Sequence, residues 1–478
     1  MSSFRENSAP FFGRPSPNPS DDYWSSQMNS RPPTGSGGNM TMGGITSALT
    51  RSLRMSSAQD LTGVGSRNDE LKARQEHEND VATTVIVCEP ERSTVMMGGL
   101  HPRASLFEKT VHLDKASKQH RHFREVLAAN GLKVCTVQEI LAVGVDKHLR
   151  ARIELEELAM RSLEYQTPGA DLSTWTEEDK FYLSDDYKRQ VIESMSVTQI
   201  IDTILTRPIV NIAYSGRDTG MTASYSFRPL SNLIYTRDQQ ITTCRGVVMA
   251  RLRSEQRQNE VQLMKHVMLK IGMQVVGEIE APGFLEGGDF VAAGRDLALL
   301  GIGLRSNMEA AQQLMEKDLL GCRRLAVVRD DFEKHQDRMH LDCCFSIISD
   351  TCCIMLEEMI GSESPTRRLV DEFTRDSNGQ YKLTREGVEF SEFIKFEGYH
   401  IIPISGPDQL QYGCNVLNLG KGKIISVHKG TARQITRCPQ FTGDVQVVEY
   451  DQITSMYGAV HCSSQVVHRH PRPTYGQD

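Results

Sequence analysis

From Ala82 onward the chain alternates short apolar runs with polar turns, and this texture constrains the fold more than any other feature. "ATTVIVC" (82–88) opens it, and "GLKVCTV" (131–137) follows a helical stretch, "KASKQHRHFREVLAANG", that a glycine stops. Residues 138 to about 208 read as almost purely helical: "LRARIELEELAMRSLEY", a Pro-Gly break, then "YKRQVIESMSVTQIIDTIL". Beyond them "LAVVRD", "CCFSII", "CCIML", "KIISV" and "VQVVEY" read as strands between helices. The pattern predicts one α/β chain with a helical insertion at about 138–208. Length alone, at 478 residues, would have suggested about two or three domains.

The first 78 residues have a different texture. They are rich in Ser, Gly, Pro, Asn and Met, as in "SPNPSDD" and "RPPTGSGGNMTMGG", and offer too little apolar surface to offset ordering entropy. A disordered tail is expected over 1–78, a catalytic domain over 79–470 and a short flexible C-terminus over 471–478. Glu6, Asp21 and Asp22 argue against an organelle transit peptide. No apolar run approaches the roughly 18–20 residues that cross a bilayer, and no secretory h-region follows the start. A net charge of -7 with a pI near 6.1 argues against nucleic acid as a partner. The eleven cysteines include no CxxC pair, and the doublets Cys343–Cys344 and Cys352–Cys353 point to opposite sides of a strand. Reduced, buried thiols in a cytoplasmic protein are expected, with no metal site.

"MHLDCCFSIISD" (339–350) places His340 and Asp342 two apart at the edge of a buried run. In an extended strand both would face one side, as an acid/base beside a carboxylate. Three more polar sets sit at strand ends. "SNLIYTRDQQ" carries Asn232 and Asp238, and "FLEGGDF" carries Glu286 and Asp289 around two glycines. "GAVHCSSQVV" places Cys462 after a small-residue loop. Singly, EGGD could be a turn and Cys462 a buried thiol. Together they supply a nucleophile, an acid/base and several carboxylates, a set suited to attack on a planar, cationic carbon.

The order NLxxTRD, LEGGD, MHLD and GxxHC resembles arginine deiminase, within the guanidino-group-modifying (amidinotransferase) superfamily, over roughly residues 82–470. "SLFEKTVHLDKASKQHRHFREVLAANGLKV" looks like the family's first repeat, and the insertion is similar to the one that distinguishes arginine deiminases from smaller relatives. The resemblance implies an α/β propeller, five ββαβ-type units about a pseudo-fivefold axis with the active site at the centre. It implies a cofactor-free hydrolase turning L-arginine and water into L-citrulline and ammonia, with a homo-oligomer, such as a dimer, left open.

In that pattern Asp238 and Asp342 hold the guanidinium, whose N–H array suits carboxylates in fork geometry. Cys462 attacks its central carbon, giving an S-alkylthiouronium intermediate. His340 protonates the leaving ammonia and then activates water, and Glu286 orients and charges His340. Asp289 either supports the loop or touches substrate. Asn232, Arg257 and Arg305 match the positions that grip the α-carboxylate. One departure stands out: Tyr457 in "SMYGAVHC" occupies the place of an expected arginine. The clamp is then thinner, or the substrate differs. Hydrolysis of another guanidino or ureido compound, including a reaction continuing to ornithine, and a non-catalytic scaffold are the rival readings.

Overall fold

A computed structural model describes residues 74–217 and 220–471. The predicted tail falls outside these residues up to position 73, as do residues 472–478. Residues 74–78 correct the expected boundary. Gln75, Glu76 and Glu78 are buried, and the Arg74 and Gln75 amides donate to the Val467 and Thr243 carbonyls. The folded chain therefore includes residues that composition alone assigned to the tail.

One pairing pattern recurs through the molecule. β1 (Val81–Val87) runs parallel to β2 (Lys133–Thr136), with the helix Leu113–Ala129 between them in sequence. An insertion then carries the helices Leu149–Ser162, Asp185–Glu193 and Val197–Thr206. It is not purely helical. The Leu149–Ser162 helix stops before "EYQ", which forms β3 (Glu164–Gln166) and pairs with β4 (Pro208–Ser215), itself hairpinned to β5 (Gly220–Phe227). A strand in tertiary contact outweighs the weak helical preference of three residues.

β6 (Gln240–Thr242) is antiparallel to β7 (Val247–Met249), and the helix Gln258–Lys270 returns the chain to β8 (Val275–Glu278), parallel to β7. β9 (Phe290–Ala292), β10 (Leu297–Ile302) and β11 (Arg324–Arg329) repeat the plan around the helix Met308–Glu316. So do β12 (Phe345–Ile347), β13 (Cys352–Leu356) and β16 (His400–Ile404), after the hairpin β14 (Leu369–Arg375) and β15 (Tyr381–Glu389) has extended the preceding sheet. β17 (Leu417–Gly420), β18 (Lys423–Ser426) and β19 (Asp444–Val447) do likewise. β20 (Gln465–His470) then pairs antiparallel with β1 and completes the first unit. Among the described residues the result is a mixed α/β fold with five strand–strand–helix–strand units, in which the middle strand of each unit is buried on most positions, as in "CCIML". Such strands read as continuous apolar runs because both faces are covered.

The expected strand through His340 and Asp342 is absent. His340 is extended (φ -123°, ψ 159°) but caps a short 3-10 turn, Leu341–Cys343, before β12 begins. The Asp289 carboxylate accepts the Leu341 amide at 3.0 Å and holds the chain in that turn.

Candidate active site

Loops leaving the short strands converge on one cleft of about 750 Å³, open mouth included. The "TRD" loop is pinned from three directions. Thr236 donates its hydroxyl to the Ile86 carbonyl in β1, Arg237 its amide to the Cys462 carbonyl at 3.1 Å, and Gly287 its amide to the Asp238 carbonyl at 3.1 Å. Residues far apart in sequence are thereby locked around the same space. The two glycines of "LEGGD" are needed for this approach. A Cβ on Gly287 would stand 2.0 Å from the Arg237 carbonyl oxygen, and one on Gly288 would meet His340 Nδ1 at 2.8 Å and Asp342 Oδ1 at 3.0 Å.

Of the sequence-predicted residues, Asp238, His340, Cys462, Asn232, Arg257 and Arg305 line the cleft, and Tyr457 joins them. Glu286, Asp289 and Asp342 lie behind its wall. Glu286 Oε2 is 2.7 Å from His340 Nε2, and its other oxygen accepts the Arg253 amide at 3.0 Å. Asp289 takes the Ser306 hydroxyl at 2.6 Å and the Leu341 amide, so here its carboxylate supports the loop. Asp342 Oδ2 lies 2.7 Å from His461 Nδ1 and 3.8 Å from Cys462 Sγ.

Two residues escaped the sequence reading. His461 binds Asp342 as just described. Asn415 donates Nδ2 to Cys462 Sγ at 3.2 Å and accepts the His461 amide at 3.1 Å. His461 was visible as a polar residue in the small-residue loop "GAVHCSS". Asn415 lies 47 positions from Cys462 and carried no local signal.

Arg257 does not stand free. Its Nη1 is 2.8 Å from Asp238 Oδ2 and its Nη2 is 2.9 Å from Glu260 Oε2. Asp238 Oδ1, by contrast, is buried without a hydrogen-bond partner and is 4.0 Å from His340 Nδ1. Arg305 is looser: Nη2 reaches Gln336 at 3.4 Å, and Nε is buried with no partner. Asn232 donates to the Ser105 carbonyl at 3.0 Å.

The charges follow from these contacts. Burial disfavours an imidazolium, but Asp238, Glu286 and Asp289 outweigh it and push His340 well above its ordinary value. Burial likewise opposes the Glu286 carboxylate, yet His340, Arg305 and Arg257 hold its pKa below the usual range. Burial, then the Asp342 and Asp238 carboxylates, drives the Cys462 thiol well above its ordinary value. Burial also raises Asp289, to about 7, against the opposing pull of His340. Both directions favour the protonated forms, a neutral Cys462 thiol and a charged His340. His340, Asp342 and Cys343 also bring potential metal-ligand atoms within 4.8 Å of one another. His340 Nε2 and Asp342 Oδ2 are already engaged by Glu286 and His461.

Fold and cleft define a class: an α/β protein of five repeated strand–helix units with a thiol, an imidazole and carboxylates around one pocket. The chain belongs to the arginine deiminase family, whose model, described as "Arginine deiminase", matches residues 104–469. Among relatives, it is 26% identical over 324 residues to an arginine deiminase of Halobacterium salinarum, spanning 51% of this chain and 65% of that protein. It is 22% identical over 345 residues to one of Streptococcus uberis, spanning 68% and 81%. Among solved structures, an amidinotransferase of saxitoxin biosynthesis from Microseira wollei superposes with a TM-score of 0.49 at 12% identity, over 84% of this chain and 98% of that one.

Proposed function

We propose that this protein hydrolyses L-arginine to L-citrulline and ammonia through a covalent intermediate on Cys462. The observation that carries the reading is Asp238 Oδ1, a buried carboxylate oxygen with no donor in the cleft that also holds Cys462 and His340. An unpaired buried acceptor is costly, and a guanidinium N–H supplies the missing donor.

The bound cation opposes the carboxylates that keep the thiol protonated, so substrate binding favours the thiolate and releases the thiol proton to solvent. Asn415 Nδ2 stabilises the developing charge on Sγ. The thiolate attacks the guanidinium carbon, forming a C–S bond and a neutral tetrahedral adduct. His340 gives its proton to one amino group, the C–N bond breaks, ammonia leaves, and a cationic S-alkylthiouronium remains. Neutral His340 then accepts a proton from the attacking water. Collapse of the second adduct breaks the C–S bond, yielding citrulline and the thiol. No metal or cofactor enters the proposal. In this scheme Asp342 acts beside the thiol, with His461 fixing its carboxylate.

The finer architecture belongs to the same reading. The recurrence of one pairing pattern five times, with the last strand closing on the first, supports units arranged about a pseudo-fivefold axis. Its cysteine usage suits a reducing, cytoplasmic setting. The test is to incubate the protein with L-arginine and measure ammonia, citrulline and ornithine, with acid quenching and mass analysis of the Cys462 peptide. Citrulline release at the wild-type rate by Cys462→Ala protein would overturn the mechanism.

A further inference from the structure

The hairpin of β4 and β5 carries eight cross-strand pairs without a register shift, and neither strand holds a charged residue. β5 is the outer strand of the sheet β3-β4-β5. Arg228 donates its amide to the Arg207 carbonyl at 3.2 Å. Antiparallel bonding alternates along a strand, so this bond turns the backbone groups of Ala223, Tyr225 and Phe227 away from β4, toward the open edge. Among the described residues no strand pairs with that edge.

The two faces of the hairpin differ. Val210 stands opposite Tyr225, Ile212 opposite Ala223 and Pro208 opposite Phe227, with Tyr165 of β3 beside Val210, which makes one apolar face. Along β5 the opposite face is Thr222, Ser224 and Ser226. The apolar face is covered over β4, where Ile212 is buried, and bare along β5, where Tyr225 is 65% and Phe227 45% exposed. Tyr214, 65% exposed, extends the bare area.

A second long edge is guarded where this one is not. β15 is also the outer strand of its sheet, but it bears Lys382, Arg385 and Glu386, and its pairing with β14 slips twice. Charges and irregularities of that kind deter edge-to-edge pairing. β5 has neither.

We propose that β5 pairs antiparallel with β5 of a second copy of this chain, about a two-fold axis at Ser224. The composition of the strand favours this occupant. The two-fold sets Ala223 opposite Tyr225 of the second copy, small against large, on the apolar face. On the other face Ser224 meets its own counterpart and Thr222 meets Ser226, hydroxyl against hydroxyl, and no like charges oppose each other. Two three-stranded sheets become one of six strands, and the exposed rings close over the seam. Eight strand residues and three exposed rings fall short of the roughly 800 Å² per partner of a standard interface, so the dimer is expected to dissociate on dilution through the micromolar range.

Sedimentation velocity of the full chain across that range should show monomer passing to dimer. Ser224→Lys and Ser224→Asp each set like charges face to face at the axis, and each should raise the dimer dissociation constant by on the order of tenfold or more. An equimolar mixture of the two should restore the dimer. Ser224 is exposed, so both variants should fold, and recovery in the mixture shows that they have. Ser224→Cys should link two chains on mild oxidation, because residues opposed in this way lie about 4.5 Å apart at Cα, within disulfide reach. Monomer at every concentration would overturn the proposal, whatever other partner β5 takes. So would a dimer that both charged variants leave intact, or one that Ser224→Cys fails to link.

Discussion

Arg257 Nη1 lies 2.8 Å from Asp238 Oδ2, and the other oxygen of that buried carboxylate has no hydrogen-bond partner. In the proposed mechanism Arg257 thus fixes the orientation of the carboxylate assigned to the guanidinium, where the family resemblance implied a grip on the α-carboxylate. Arg257→Ala is expected to depress kcat/KM for every guanidino substrate alike, agmatine included. It should also destabilise the fold by about 3–5 kcal/mol, because two buried carboxylates lose their cation. Steady-state kinetics with arginine and agmatine and a denaturant melt check both halves. A loss confined to substrates bearing a carboxylate would return Arg257 to the clamp.

Asn415 is expected to act on the nucleophile rather than on binding. Asn415→Ala removes the donor 3.2 Å from Cys462 Sγ and leaves the thiol harder to ionise. The kcat should drop by roughly tenfold, the worth of one hydrogen bond to a charged group, with KM little changed. The thiol's alkylation rate by iodoacetamide should move to higher pH in parallel. An unchanged alkylation profile would show that Asn415 does not touch thiolate stability.

The His340–Glu286 pair gives a pH prediction with a definite sign. His340 is raised, so its contribution to stability is complete below the unfolded histidine value of about 6.5 and is lost as pH rises through its folded value. Glu286 is depressed, so its contribution is complete above the unfolded value of about 4.3 and is lost as pH falls through its folded value. The pair therefore stabilises fully between about pH 4.3 and 6.5. Glu286→Gln takes a negative charge from His340, which should then lose its proton at lower pH, and the alkaline limb of kcat should shift downward. A pH–rate profile of the variant that overlays the wild type would remove Glu286 from the proton chemistry.

A chain starting at residue 74 is expected to keep its stability, whereas one starting at residue 80 should lose about 3–5 kcal/mol. The reason is Arg469, whose side chain is fully buried and paired with Glu78 at 3.1 Å. Removing Glu78 leaves that cation unpaired in the interior. Thermal melts of the two chains, with Glu78→Gln in the full chain as a milder control, measure the difference.

The strand runs and long helices were legible because apolar runs bounded by turn residues, and period-3.6 stretches, are local signals. "CCIML" and "KIISV" appear where their patterns placed them. "EYQ" was misread because three residues carry too little pattern, and its strand exists only through pairing with β4. "MHLD" was misread because the Asp289 carboxylate, 52 positions away, bends it into a turn. Within the site, residue types identified the acid, the imidazole and the thiol. Their sequence did not show that Asp238 and Glu260 converge on Arg257, or that Asn415 reaches Cys462. Those facts belong to long-range packing.

β1 carries a consequence for how an active molecule comes into being. One of its neighbours, β2, follows within the same stretch of chain, but the other is β20, so Thr83 and His468 share a 2.6 Å hydrogen bond across 385 positions. Closing so long a loop precedes any reward from the contacts it makes, which slows assembly. Until synthesis reaches β20, one edge of β1, with Val85, Ile86 and Val87 destined for the interior, has no strand beside it. The Cys462 loop leads directly into β20, so the cleft's thiol arrives with the strand that shuts that edge. A chain still under synthesis therefore carries an open strand edge on β1, and its cleft lacks the Cys462 thiol until that edge closes.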